Sequence, residues 1–104
     1  MAHHVQIGVI RQFGKRVRER RLAAGLSQAQ LAERADLDRL YLGRLERGLQ
    51  NPTLLVVTRL VVELQTDLAE MFAGIVVDAD EVRAVSRLSR GPRPKEVSAA
   101  GDGT

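Results

Sequence analysis

Between residues 27 and 48 the chain reads SQAQLAERADLDRLYLGRLERG, and this segment leaves little freedom in how it can fold. Ser27, with Gln30 three positions later, forms a capping box that opens a helix. Leu31, Ala32 and Ala35 fall on its inner face, so the helix is short. Asp36 stands in the following turn, where the chain often needs a left-handed backbone that Asp tolerates better than most residues. Asp38 then caps another helix, with Leu42 and Leu45 facing inward and Gly48 as its stop. About three residues separate the two helices, and small Ala32 lies where they would cross.

The remainder is helical in pattern. Ile10, Phe13, Val17 and Ala24 recur at helical spacing, and Gly25 follows as a C-terminal stop, which predicts a first helix over 8–24. Asn51, Pro52 and Thr53 form a loop into a fourth helix over 53–64, with Leu54, Val57, Leu60, Val61 and Leu64 on the core face. Asp67 and Glu70 suggest a second capping box, opening a short fifth helix that carries Leu68, Met71 and Phe72 and ends at Gly74. Strand alternation is missing apart from a short extended piece at 75–77, and residues 80–89 read as a loose helical turn or two. From Ser89 the sequence SRGPRPKEVSAAGDGT has almost nothing apolar and reads as disordered. The expected architecture is all-α: a five-helix bundle over 1–74, followed by a C-terminal extension over 75–104. The only aromatics are Phe13, Tyr41 and Phe72, so the core must be built from Leu, Val, Ile and Ala.

Composition narrows the function. No cysteine is present, which excludes a disulfide scaffold and thiolate metal sites and fits a reducing cytoplasm. The longest apolar run, 54–57, is far below the roughly 20 residues that cross a bilayer, so neither a membrane span nor a secretion signal is expected. Residues 1–50 hold ten Arg or Lys against five Asp or Glu, whereas residues 51–104 hold six against eight. The basic half favours a polyanionic partner. Fourteen of the sixteen cations are Arg, whose planar guanidinium suits phosphate and guanine. His3 and His4 are adjacent near the N-terminus without converging ligands, so no metal site is expected. No nucleophile–base pair, phosphate-cradling Gly loop or paired catalytic carboxylates are visible, so neither an enzyme nor a cofactor is expected.

Two short helices joined by a tight turn make a helix-turn-helix, whose second helix presents its outer face to base edges in the DNA major groove. Removing Leu42 and Leu45 leaves Arg39, Leu40, Gly43 and Arg44 pointing outward, and two arginines near a helix start can reach guanine N7 and O6. At this level the chain resembles the phage-repressor (Cro-like, XRE) helix-turn-helix family. FGKRVRERRLAAGLSQAQLAERA is similar to its first two helices, LDRLYLGRLERG to its recognition helix, and NPTLLVVTRLVVELQTDLAEMF to its last two. The recognition segment followed by NPT resembles in particular the controller proteins of restriction–modification systems.

The resemblance implies roles. Gln28 would contact a phosphate and brace the recognition helix, Arg39, Leu40 and Arg44 would occupy base-contacting positions, and Tyr41 and Asn51 would lie near the DNA backbone. Arg21 and Glu46 occupy the positions of the family's internal salt bridge. Asp36 replaces the usual turn glycine, Arg20 stands where an apolar residue is common, and Leu40 and Gly43 replace polar readers. Leu55, Val56 and Val62 lie off the core stripe of the fourth helix, which points to a homodimer interface. The expected partners are double-stranded DNA and a second copy, with no small-molecule ligand. A second reading stays open: an antitoxin or protein-interaction module whose 75–104 tail grips a partner and whose DNA binding is secondary.

Overall fold

A computed structural model describes residues 7–88, and six helices account for most of them. They are α1 (Gly8–Ala23), α2 (Gln28–Arg34), α3 (Arg39–Glu46), α4 (Leu54–Glu63), α5 (Leu68–Phe72) and α6 (Ala79–Leu88). The described residues contain no strand, and the piece at 75–77 lies outside any regular element. The architecture is all-α as expected, but the expected five helices become six, because residues 79–88 form a continuous helix rather than a loose turn. That helix is capped by Asp78, which accepts from the backbone N–H groups of Asp80 and Glu81 at 3.0 and 3.1 Å. The readings on His3, His4 and the tail from Ser89 fall outside the described residues.

Start and stop signals set the helix boundaries. At Ser27 both halves of the capping box are made: Ser27 Oγ accepts from Gln30 N at 3.0 Å, and Gln30 Oε1 accepts from Ser27 N at 2.8 Å. Asp38, Thr53 and Asp67 cap α3, α4 and α5 by accepting from Leu40 N, Val56 N and Glu70 N. At α5 only this half of a capping box is observed, because the Glu70 carboxylate turns to Arg20. Four helices end alike. The residue after the C-cap (Gly25, Asp36, Gly48 or Gln65) takes a positive φ between 55° and 79°. The next N–H then returns to a carbonyl in the last turn, as Leu37 N does to Ala32 O at 2.8 Å. This is the Schellman closure, and it explains how Asp36 replaces the usual glycine.

The core forms where α1 packs on α3 and α5, α2 on α3 and α4, and α4 on α5. Phe13, Val17, Leu31, Leu42, Leu45, Leu60 and Met71 are almost wholly enclosed, and Phe13 stacks on Phe72 with ring centroids 5.3 Å apart. Three readings of the core change. Ala24 is exposed because α1 ends at Ala23 and the chain turns there. Leu54, expected on the core face, is 69% exposed at the first turn of α4. Val56, expected off that face, is half-buried against the core. A residue at the start of a short helix can project beyond the body it packs on, and helical periodicity does not register this.

Residues after Gly74 are tied to α1. The Gln12 side chain bridges Val76, donating to its carbonyl at 2.9 Å and accepting from its N–H at 3.0 Å. Ile7 supplies no side-chain cap, and Glu81 Oε1 instead accepts from Gly8 N at 2.8 Å. A carboxylate from α6 thus satisfies one of the unpaired donors at the α1 N-terminus. At the other end, Arg16 donates to the carbonyls of Glu70 and Ala73, capping α5, and Arg20 pairs with Glu70. An arginine where an apolar residue is common has found a carboxylate rather than a core.

Candidate nucleic-acid interface

The turn between α2 and α3 spans 35–38, with Asp36 at φ 59°. Leu42 and Leu45 are buried on the inner side of α3, as the spacing predicts. The outer side carries Arg39, Leu40 and Arg44, all exposed, with Arg47 exposed just beyond the last turn. None of these three arginines is paired with a carboxylate of the described residues. For Leu40, 66% exposure is a large apolar display at the first turn of a helix. This face therefore offers guanidinium donors and one apolar side chain to a partner.

A polar lock fixes α3 beneath that face. Arg21 Nε and Nη2 donate to the two Glu46 carboxylate oxygens at 2.7 and 2.9 Å, and Arg21 Nη1 donates to Leu26 O at 2.9 Å. The side chains are 8% and 1% exposed. The Glu46 hydrogen bond, opposed by burial and aided by the carboxylate's charge, holds the Arg21 pKa above its ordinary value. Gln28 Nε2 donates to Glu46 Oε1 at 3.1 Å, so one carboxylate gathers α1, α2 and α3. Gln28 thus joins α2 to the Arg21–Glu46 pair.

Two glycines do different work here. Gly43 is half-buried rather than fully outward, and a Cβ placed on it would sit 3.5 Å from Gln28 Oε1, an ordinary contact. A Cβ on Gly14 would sit 2.2 Å from Leu45 O and 2.9 Å from Glu46 O. Gly14 is therefore what lets α1 lie directly on the last turn of α3. Sequence reasoning passed over it, and its one signal is a buried glycine in a helix interior, where glycine costs about 1 kcal/mol relative to Ala.

Tyr41 is half-buried against the core, where desolvation pushes its hydroxyl pKa above the ordinary value of 10.0. Asn51 is exposed in the loop before α4, beside an apolar groove lined by Val9, Ile10, Phe13, Pro52, Leu54 and Phe72. On α4, Leu55 and Val62 remain 61% and 67% exposed, whereas Val56 does not share their exposure. Among the described residues, no group of His, Asp or Glu is arranged to hold a metal ion, and no helix is long and apolar enough to cross a membrane.

Consecutive short helices joined by a tight left-handed turn, with a basic face displayed, are features of helix-turn-helix proteins. The chain belongs to the helix-turn-helix family HTH_3, which matches residues 17–71. It is similar to the restriction–modification controller protein C.AhdI from Aeromonas hydrophila, with 43% identity and a TM-score of 0.59, covering 61% of this chain and 96% of that one. The fold is shared with the controller protein C.Esp1396I, solved as a tetramer in complex with its natural 35 base-pair operator (23% identity, TM-score 0.59, covering 72% and 95%). It is shared also with the clp gene regulator ClgR from Corynebacterium glutamicum (19% identity, TM-score 0.63, covering 77% and 83%). No curated protein matches the sequence.

Proposed function

We propose that this chain is a DNA-binding transcription regulator that acts in the cytoplasm as a homodimer on a pseudo-palindromic operator. The observation that carries the reading is the exposed, unpaired arginine face of α3, held rigid by the buried Arg21–Glu46 pair. In this reading Arg39 and Arg44 donate to base edges, Leu40 packs on a base methyl, and Gly43 allows close approach. Gln28, Tyr41 and Asn51 contact phosphates and set the register. The similarity to C.AhdI supports a controller of the same kind.

One short helix reads only a few base pairs, and two copies about 34 Å apart read an inverted repeat. Leu55 and Val62, both exposed on α4, supply the apolar face for that dimer. Val56 contributes from beneath, since it is partly engaged by the core.

The test is selection of bound sequences from a random duplex pool at two salt concentrations. Two inverted half-motifs about one DNA turn apart support the reading. Binding without a motif refutes it and favours the protein-interaction alternative. On the selected operator, Arg39→Ala should weaken binding by roughly 1–3 kcal/mol per half-site while sparing random duplex. Val62→Glu should give a monomer by light scattering, and an unchanged mass refutes the α4 interface.

A further inference from the structure

The segment RQFGKRVRERR carries six cations, and the structure divides them. Arg16, Arg20 and Arg21 are occupied by the α5 carbonyls, Glu70 and Glu46. Arg11, Lys15 and Arg18 instead follow one another at i, i+4 and i+7, which places them along one face of α1, and all three are exposed. This ridge abuts the end of the recognition helix: a Cβ on Gly48 would lie 3.0 Å from Arg11 Cα. Arg47, the residue before Gly48, is also exposed, so the α1 ridge meets the basic side of α3 at its C-terminal end. Neither Lys15 nor Arg18 nor Arg47 pairs with a carboxylate of the described residues, neighbouring Glu19 included.

Lys15, Arg18 and Arg47, exposed, unpaired with a carboxylate of the described residues and continuous with a base-reading face, suit the repeated charges of a phosphodiester backbone. Resting on the DNA-binding reading above, we propose that Lys15, Arg18 and Arg47 form a second phosphate-binding ridge. It engages duplex DNA flanking the half-site that α3 reads. These contacts carry affinity and salt dependence, and they carry no base preference.

The experiment compares the full chain with Lys15→Gln/Arg18→Gln and with Arg47→Gln on two duplexes. One contains only the selected motif, and the other extends it by about one helical turn on each side. Helicity and unfolding midpoint, read by circular dichroism, check that these surface variants remain folded. On the long duplex, the slope of log K against log salt should become shallower by about 0.9 for each phosphate that is no longer neutralised. For the double variant this narrows the affinity change between about 50 and 200 mM salt by roughly tenfold per protomer, with the selected motif unchanged. On the short duplex the variants should match the wild type. Identical slopes on the long duplex overturn the ridge while leaving the operator reading intact. Reduced slopes with no motif selected by the wild type support the ridge and overturn the operator. Absence of any duplex binding by the wild type overturns both.

Discussion

Replacing Gly14 and Gly43 by alanine, one at a time, should shift stability in opposite directions, although both residues are helical and the chemistry is the same. An added methyl at 43 meets Gln28 at 3.5 Å, within ordinary contact, so the helix-propensity gain survives. Gly43→Ala should stabilise by about 0.5–1 kcal/mol. At 14 the methyl would lie 2.2 Å from Leu45 O, where ordinary contact begins near 3.4 Å, so α1 must retreat from α3 by about 1 Å. The obstacle is backbone in the last turn of α3, with Leu45 O already accepting from Gly48 N, and no side chain can rotate away. The retreat loosens the packing of Phe13, Val17, Leu42 and Leu45 and stretches the 2.7 Å Arg21–Glu46 pair. Overpacking of this kind costs about 1–3 kcal/mol or more, and strain on the polar lock adds to it. With the cost at the upper end of that range, as an immovable backbone obstacle implies, subtracting the propensity gain of about 1 kcal/mol leaves Gly14→Ala a loss of about 2 kcal/mol. For a domain of this size that lowers Tm by about 10 °C. Urea unfolding followed by circular dichroism measures both variants against the wild type. A Gly14→Ala protein as stable as Gly43→Ala would refute the close α1–α3 crossing.

The polar lock makes a second prediction. Glu46→Gln leaves the Arg21 charge enclosed without its counter-charge and should cost roughly 3 kcal/mol, whereas Arg21→Met with Glu46→Leu should recover much of that; equal losses in single and double variants contradict it. Tyr41 predicts an alkaline effect. Burial keeps its hydroxyl protonated above 10.0 in the folded protein, whereas in the unfolded chain it ionises near its ordinary value. Its contribution is therefore intact below about pH 10 and is lost as pH rises toward the raised folded value. Tyr41→Phe should show a smaller fall in urea midpoint between about pH 9 and about pH 11. Because Tyr41 is the only tyrosine, its ultraviolet titration reads the same shift directly, and an ordinary value there contradicts the burial.

The local devices were legible because they depend on residues three to six positions apart. Ser27 with Gln30, Asp38, Asp36 in its left-handed turn and the stop at Gly48 all act where their spacing places them. The same holds for Leu42 and Leu45 facing inward and for Arg39, Leu40 and Arg44 facing outward. The Arg21–Glu46 pair is separated by 25 positions, and resemblance to a family supplied it where periodicity could not.

Sequence alone determined the starts of the first five helices, most of the stops and the outward basic face, since capping, left-handed turns and helical periodicity are short-range physics. Only the tertiary structure decided which of the α1 cations are occupied and which remain displayed. It also decided that Leu54 projects while Val56 is engaged, and that residues 75–81 return to α1 through Gln12, Val76 and Glu81. Each of these depends on what another helix, dozens of residues away, places opposite a side chain. For Gly14 the deciding partner is a backbone carbonyl, which any residue at 45 would supply and which no pattern of side chains can reveal.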